Sequence, residues 1–201
     1  MHYERPILEG LSPPEGPTVG GVAIMLTGHN FGIFDVDEAN RDDEVTTHVL
    51  QMQHPVKGTL DIPLENIQFL NHTALLFTLV EGSGKYDISL TVAGQESVET
   101  IRFSYAPPVI TGISPDHGRA RGGYPVTLTG INFGQSSVDN DDVGSGNVLF
   151  SAKVFIAGRS CVVIAQNNFE IQCITPHNIG ANLTVGHYFC LFYFLSTTAF
   201  R

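Results

Sequence analysis

The chain of 201 residues lacks several features that would mark the commoner classes of protein. It has no tryptophan, three cysteines, and ten basic residues against twenty acidic ones, which gives a formal net charge of −10. Such a charge repels phosphate backbones, so we expect no binding to nucleic acid. The N-terminus has no basic-then-apolar signal pattern, and no apolar run is long enough to cross a bilayer, so we expect no membrane insertion by this segment. The chain is therefore either intracellular or a piece of a longer secreted or membrane protein.

Catalytic and metal-binding motifs are missing too. The sequence contains no HExxH, HxH or G-x-S-x-G motif, its cysteines form no C-x2-C pair, and no pair of carboxylates is selected by spacing. The string EGSGKYD at 81–87 suggests a phosphate-binding loop, but Leu79 and Tyr86 occupy positions where that loop needs Gly and Ser or Thr. We interpret it as a hairpin turn. The sequence predicts a chain that is not an enzyme and needs no cofactor.

Helical periodicity is absent as well, because apolar residues at i, i+3, i+4 and i+7 are nowhere sustained over three turns. Twenty-one glycines and eleven prolines instead predict many turns. Short runs such as VAIMLT at 22–27 and YDISLTV at 86–92 alternate in polarity, which is typical of strands with one buried face. About seven such short runs per hundred residues predict an all-β sandwich.

One segment of the sequence occurs twice. GPTVGGVAIMLTGHNFG at 16–32 returns 102 residues later as GRARGGYPVTLTGINFG, and the gapless match extends back to Pro6 and Pro108, with 13 identities in 27 positions. A repeat of this length predicts two domains. We place them at 1–106 and 107–201, because two consecutive prolines there end one sheet and stiffen a very short linker.

The repeated segment carries its own turn chemistry. The Gly-Gly pair before each strand permits the positive φ of a tight turn. After the strand, Asn30 and Gly32, like their counterparts in repeat 2, tolerate left-handed geometry, and the phenylalanine between them is predicted to enter the core. Pro125 has no backbone donor, so its strand should begin there or lie at an edge.

The two openings, PILEGLSPPEGPTVGGVAIMLTGHNFG and PVITGISPDHGRARGGYPVTLTGINFG, resemble those of IPT/TIG domains, immunoglobulin-like modules of plexins, hepatocyte-growth-factor-type receptors and some transcription factors. VFIAGRSCVVI and FEIQCITP resemble the middle strands of that family, and GSGKYDISLTVAGQES and IGANLTVG its penultimate strand. The resemblance covers about residues 6–106 and 108–186. It implies an all-β fold of two tandem immunoglobulin-like β-sandwich domains of the E-set type.

The two repeats depart from that family in different ways. The resemblance implies a disulfide between Cys161 and Cys173 in repeat 2 and leaves Cys190 unpaired, whereas in repeat 1 Phe77 stands about where Cys173 aligns. From about residue 187, nothing corresponds to SVETIRFSYA, the last strand of repeat 1, and the aromatic tail HYFCLFYFLSTTAFR stands in its place. The tail is either an irregular final strand or the product of a damaged or incomplete gene. Domain 2 is therefore expected to be atypical or truncated at its C-terminus.

An acidic loop follows the Asn-Phe-Gly element in both repeats. Asp35 and Asp37 lie in the first loop, and Asp139 and Asp141 in the second. Several oxygens on one short segment suit calcium, which makes these four residues calcium candidates. Neither loop has the spacing of an EF-hand, and a solvated acidic loop without metal is the alternative that the charge pattern favours.

Two sequons for N-glycosylation are present. They begin at Asn71, in Asn-His-Thr, and at Asn182, in Asn-Leu-Thr. Chance would supply one or two in a chain with this many asparagines. They are compatible with secretion without requiring it.

The resemblance and the missing catalytic motifs favour a non-catalytic tandem module of a cell-surface or secreted protein, acting as a spacer or protein-binding segment. Its localisation would be extracellular, as part of a larger protein, with a protein partner contacted through loops and outward faces. One alternative is the dimerising, DNA-associated domain of a transcription factor, which would want basic loops. Another is an accessory domain of a carbohydrate-active enzyme, which would require a catalytic domain elsewhere.

Overall fold

The computed structural model describes residues 4–32, 48–118, 121–134, 152–156, 158–177, 183–189 and 192–200, and for 183–200 it describes the backbone alone. The chain divides into two compact units, Met1–Ala106 and Pro107–Arg201. Each unit has its own cluster of buried apolar residues, and the two clusters share no member. The repeat in the sequence is therefore a repeat of whole folding units.

Unit 1 is built from strands in two sheets. Its strands are β1 (Ile7–Ser12), β2 (Glu15–Gly16), β3 (Ala23–His29), β4 (His48–His54), β5 (Gly58–Ile62), β6 (Ile67–Asn71), β7 (Ala74–Thr78), β8 (Lys85–Val92), β9 (Gln95–Glu96) and β10 (Ile101–Tyr105). One sheet has the order β1-β3-β7-β6, and the other has the order β2-β10-β8-β4-β5, with β9 paired to β8. A 3-10 helix, Leu64–Asn66, lies between β5 in one sheet and β6 in the other.

Unit 2 has seven strands among its described residues, and it connects its layers differently from unit 1. Its strands are β11 (Val109–Ser114), β12 (Pro125–Ile131), β13 (Lys153–Ile156), β14 (Arg159–Gln166), β15 (Glu170–Ile174), β16 (Leu183–Phe189) and β17 (Phe192–Phe200). They form the continuous order β11-β12-β15-β14-β13-β16-β17. The first residues of β14 pair with β13, and its later residues pair with β15. In unit 2, therefore, the single strand β14 connects the two layers. In unit 1 the same connection is made by two separate strands, β5 and β6, and the 3-10 helix between them.

The alternation of β3 and β12 buries one face of each strand. Ile24 and Leu26 are fully buried while Ala23 and Met25 are exposed. In β12, Val126 and Leu128 take the buried positions. Burial of such side chains contributes about 1.5–3 kcal/mol each relative to exposure. β12 begins at Pro125 and lies between β11 and β15, so the proline sits where a missing donor costs no interior ladder bond.

The Gly-Gly turn has a steric reason in addition to its positive φ. Gly20 has φ of +70°, and a Cβ on it would lie 2.5 Å from the carbonyl oxygen of Leu79. Gly21 donates its N–H to that same carbonyl at 2.7 Å. Gly122 meets the backbone of Pro176 in the same way, and Gly123 donates to the Thr175 carbonyl. In both units, therefore, the turn packs directly against the end of the strand beside it.

The Asn-Phe-Gly element is confirmed as a left-handed turn with a core plug. Asn30 and Asn132 have φ of 62° and 61°. The intervening Phe31 and Phe133 are fully buried. The asparagine amide also ties its turn to the segment before β1, since Asn30 Nδ2 donates to the Arg5 carbonyl at 3.2 Å. Both predictions are confirmed because they concern backbone angles and a core position, which follow from the residue type and its immediate neighbours.

Two predictions need correction. The segment EGSGKYD is not a hairpin turn, because it leaves β7 in one sheet and enters β8 in the other. The tail of repeat 2 forms a strand, which was one of the two alternatives given for it, and this strand is a counterpart of the last strand of repeat 1, since β17 pairs antiparallel with β16 as β10 pairs with β8. Alternation could not reveal β17, whose sequence, FYFLSTTAF, mixes apolar and polar residues without a period of two.

Candidate interaction sites

The candidate residues named from the sequence fall into two groups. The calcium candidates Asp35, Asp37, Asp139 and Asp141, together with Asn182 and Cys190, lie outside the described residues. Asn71, Cys161 and Cys173 lie inside them. Within the described residues, no three His, Cys, Asp or Glu side chains are grouped so that they could hold a metal ion. In the same part of the chain, no helix has the length and apolar character to cross a membrane.

Cys161 and Cys173 form the disulfide that the family resemblance predicts. Their Cα atoms are 5.7 Å apart, and both residues are buried in the core of unit 2. The bond joins β14 to β15, and Cys173 pairs with Val126 of β12. In unit 1 the residue that pairs in this way with Ile24 of β3 is Phe77, which is fully buried. Aromatic packing in one unit thus occupies the place of a covalent bond in the other.

Asn71 lies at the tip of the β6–β7 hairpin. It is exposed, and so are the next two residues of its sequon, His72 and Thr73. Its Oδ1 accepts hydrogen bonds from the N–H and from the hydroxyl of Thr73, each at 2.8 Å. Such a turn, closed by the side chain of its first residue, is typical of asparagine.

Unit 2 has the same turn between β14 and β15, without a sequon. Asn167 Oδ1 accepts from the N–H groups of Phe169 and Glu170, each at 2.8 Å. The turn is anchored alike in the two units, because Phe31 N–H donates to the His72 carbonyl at 2.9 Å and Phe133 N–H donates to the Asn168 carbonyl at 3.1 Å. The third position of this turn is Phe169, so the segment Asn167 to Phe169 lacks the hydroxyl that defines an acceptor site.

An open cavity of about 350 Å³ lies beside the Gly-Gly turn of unit 2. It is lined by Pro115, His117, Gly118, Arg121, Gly122 and Tyr124. The Tyr124 hydroxyl is buried and has no hydrogen-bond partner among the described residues. Thr175 lies beside this residue, and its hydroxyl donates to the Tyr124 carbonyl at 3.0 Å. Burial raises the pKa of the Tyr124 phenol, with a smaller opposite effect from Thr175, so the phenol is neutral at physiological pH.

Sequence reasoning missed this cavity. The signal available was the exchange of Val22 in repeat 1 for Tyr124 in repeat 2, inside an otherwise matched strand. Arg121 and His117 also line the cavity, and the His177 ring donates to the Arg121 carbonyl. His117 Nδ1 lies 2.8 Å from Asp116 Oδ1, so the cavity offers one neutral phenol beside the Arg121 side chain in a chain of acidic net charge.

A polar cluster closes one end of the second sheet of unit 1. His54 Nδ1 accepts from the N–H groups of Val56 and Lys57, each at 3.1 Å, and this closes the β4–β5 turn. The Lys57 ammonium then donates to the carbonyl and the hydroxyl of Ser83, in the loop between the sheets. Burial, followed by the charge of Lys57, lowers the pKa of His54. These hydrogen bonds join the β4–β5 turn to the loop between the two sheets.

Comparison with known proteins identifies the repeated unit. The family model described as IPT/TIG domain matches the chain twice, over residues 6–105 and 108–188. The chain is also similar to a surface glycan-binding protein from Prevotella bryantii, at 10% identity and a TM-score of 0.53, over 100% of this chain and 43% of that one. It is similar to the plexin A4 extracellular region at 16% identity and a TM-score of 0.43, over 97% and 18% of the respective chains.

A third similar structure is that of InvD from Yersinia pseudotuberculosis, at 13% identity and a TM-score of 0.36, over 100% of this chain and 57% of that one. The chain spans less than two thirds of the length of each of these three proteins. At such low identities, a likeness in structure concerns the fold alone.

Proposed function

The chain belongs to the IPT/TIG domain family, with one domain in each repeat, and from this membership we propose that it is a non-catalytic module of a cell-surface or secreted protein. In that protein it serves as a spacer or as a protein-binding segment. The two remaining alternatives, a subunit-pairing domain of a transcription factor and an accessory domain of a carbohydrate-active enzyme, use related folds in other settings.

The observation that carries the proposal is the disulfide between Cys161 and Cys173. Disulfides form and persist in oxidising compartments and are rare in the cytosol and nucleus, where thiols are kept reduced. A transcription factor would work with both thiols free. The bond therefore favours an extracellular setting over a nuclear one.

Charge supports a protein partner over a nucleic acid. The net charge of −10 opposes approach to a phosphate backbone and favours a basic protein surface. A sandwich uses its inward residues for the core, so loops and outward faces remain for recognition. In unit 2 the outward side chains of β14 include Val162, which is 64% exposed, and Ile164, which is 56% exposed. These two side chains are apolar groups that a partner could contact on that strand.

The proposal is tested on the protein taken from its native host. Free thiols are blocked with an alkylating reagent at lysis, and the peptides that contain Cys161 and Cys173 are then mapped without reduction. We expect a single disulfide-linked peptide pair, because material made in an oxidising compartment keeps the bond.

Recovery of both cysteines as alkylated thiols would overturn the extracellular assignment and favour the transcription-factor alternative. A linked pair in a polypeptide that also carries a glycoside-cleaving domain would instead favour the accessory-domain alternative. The full-length polypeptide recovered in the same experiment, identified from its other peptides, distinguishes these two results.

A further inference from the structure

We propose that Asn71 carries an N-linked glycan that covers the open edge of strand β6. This inference rests on the proposed function, because the modifying enzyme acts on chains that enter the secretory pathway. Of the two sequons, only the one at Asn71 falls within the described residues, and its geometry carries the inference.

The native turn leaves free the atom that a glycan needs. Both hydrogen bonds at the Asn71 amide are accepted by Oδ1, from the N–H and the hydroxyl of Thr73. The nitrogen, Nδ2, has no hydrogen-bond partner among the described residues, and the whole side chain is exposed. A sugar on Nδ2 would therefore break no hydrogen bond of the folded domain. Asn30 is the opposite case, because its Nδ2 donates to the Arg5 carbonyl at 3.2 Å.

The modification is a group transfer from a lipid-pyrophosphate-linked oligosaccharide, catalysed by a membrane oligosaccharyltransferase. Nδ2 of Asn71 attacks the anomeric carbon of the first sugar and forms the N–C bond. The bond from that carbon to the pyrophosphate oxygen breaks, and the lipid pyrophosphate leaves with its electron pair. One amide proton passes to a base of the enzyme, and no oxidation or reduction takes place.

The turn holds the attachment point in a fixed place. The Thr73 carbonyl accepts from Gly28 N–H at 2.8 Å, and the His72 carbonyl accepts from Phe31 N–H at 2.9 Å. These bonds anchor Thr73 to the end of β3 and His72 to the Asn-Phe-Gly turn, whose phenylalanine is buried in the core. A glycan on Asn71 therefore projects from a rigid base at the end of β6.

That base lies on a sheet edge with an exposed apolar side chain. β6 is the last strand of the order β1-β3-β7-β6, and the described residues supply it with no second neighbour. Leu70, directly before the sequon, is 47% exposed. An unpaired edge of this kind is a template for pairing with another chain, and proteins protect such edges. A branched glycan on the next residue would exclude a second strand from β6.

The experiment uses the whole chain, directed through the secretory pathway of a eukaryotic host by an added signal peptide. Purified protein is treated with an N-glycosidase in heavy-oxygen water, which converts each glycosylated asparagine to a labelled aspartate. Peptide mapping then scores Asn71 and Asn182 separately. We expect label at Asn71 in nearly all molecules.

Matched variants distinguish loss of the glycan from loss of the folded structure. Thr73→Ser keeps the sequon and should keep the label, whereas Thr73→Ala keeps the bond from the backbone N–H of residue 73 to Asn71 and should lose the label. Phe169→Thr creates a sequon on the equivalent turn at Asn167, where Oδ1 is again the acceptor, and should gain label there. Protection from hydrogen exchange in β3 and β7 shows that unit 1 has folded in each secreted variant, and an intact Cys161–Cys173 bond shows the same for unit 2.

Self-association, measured by analytical ultracentrifugation, tests whether the glycan shields the edge of β6. We expect the Thr73→Ala protein to self-associate at concentrations where the Thr73→Ser protein is monomeric. An unlabelled Asn71 in folded, secreted protein would overturn the glycan, and equal self-association of the two variants would overturn the shielding. Neither result depends on the native compartment, so a failure here is distinct from free thiols in the native protein, which would overturn the proposed function.

Discussion

At the scale of single residues, the two glycines of the entry turn differ in what surrounds them although their backbone angles are similar. Gly20 has φ of +70° and Gly21 has φ of +77°. A Cβ on Gly20 would collide with the backbone at Leu79 and Val80, while a Cβ on Gly21 would meet nothing within 4 Å. Substituting each glycine in turn therefore distinguishes two contributions to the free energy of unfolding. One is the cost of left-handed backbone angles in a residue with a Cβ, and the other is the cost of a steric collision.

We expect Gly21→Ala to lower the free energy of unfolding of unit 1 by about 1 kcal/mol, which is the cost of placing a Cβ in the left-handed region. Gly20→Ala should cost more than about 2 kcal/mol, because the turn must also move away from the adjacent strand end. Urea unfolding of the two variants measures the difference. Equal losses would show that the contact with Leu79 is relaxed without cost.

A second residue-scale prediction concerns pH. His54 Nδ1 must be unprotonated to accept the N–H groups of Val56 and Lys57, and burial together with the charge of Lys57 lowers its pKa below the ordinary value of 6.5. A lowered pKa in the folded state means that this stabilisation is complete above the unfolded-state pKa. It is lost as the pH falls through the folded-state pKa. Unit 1 should therefore lose stability on acidification below about pH 6.5.

The matched variant is His54→Asn, whose side-chain oxygen can accept the same two N–H groups without titrating. Thermal unfolding between pH 8 and pH 5 should show a smaller loss of stability for this variant than for the wild type. Parallel curves for the two proteins would show that His54 is not the titrating group. The other histidines are common to both proteins and cancel in the comparison.

At the scale of elements, the two units hold equivalent strands together by different chemistry. In unit 2 the disulfide Cys161–Cys173 links β14 to β15, and in unit 1 Phe77 of β7 fills the corresponding place beside Ile24. Unit 1 reaches β6 through a 3-10 helix, whereas β14 runs through both layers without interruption.

We expect the double substitution Cys161→Ala and Cys173→Ala to destabilise unit 2 by about 3 kcal/mol, the value for closing a loop of this length. Unit 1 should be unaffected, because its core shares no residue with that of unit 2. Hydrogen exchange resolved by peptide should show faster exchange in β12 and β15 and unchanged exchange in β3 and β7.

The control is Phe77→Ala, which leaves a cavity in unit 1 and should cost about 3–5 kcal/mol there. Its exchange pattern should be the reverse, with β3 and β7 affected and β12 and β15 unchanged. Loss of protection in both units from either substitution would contradict the independence of the two cores.

At the scale of the whole molecule, charge decides which partners are accessible. Twenty acidic residues against ten basic ones give a net charge of −10 and an isoelectric point near 5.1. Long-range repulsion of this sign opposes binding to DNA and favours the approach of a basic protein. Arg121, which lines the Tyr124 cavity, is a local exception to this acidic character.

We therefore expect no retention of double-stranded DNA in a gel-shift assay at about 0.15 M salt. Binding to a basic protein partner should instead weaken as salt is raised through this concentration. Specific retention of a DNA fragment would contradict the charge argument and return the transcription-factor alternative to first place. A known DNA-binding protein in the same assay serves as the positive control.

The sequence by itself determined the features that depend on a residue and its near neighbours. Alternation of polarity placed β3 and β12, because side chains along a strand point to opposite faces. Gly20, Asn30 and Phe31 were correctly predicted, since backbone angles and a single core position follow from residue type. The repeat then extended these local conclusions to a second domain, and the family resemblance supplied the disulfide.

The tertiary structure alone decided which strand joins which layer and which polar atoms are buried. EGSGKYD crosses between sheets, β14 spans both layers, and β17 takes the place beside β16, because strand pairing joins residues that are distant in the chain. The Tyr124 cavity is likewise a product of packing. A sequon or an exchanged tyrosine can be read from the sequence, but the exposure of Asn71 and the burial of the Tyr124 hydroxyl are decided by the folded chain.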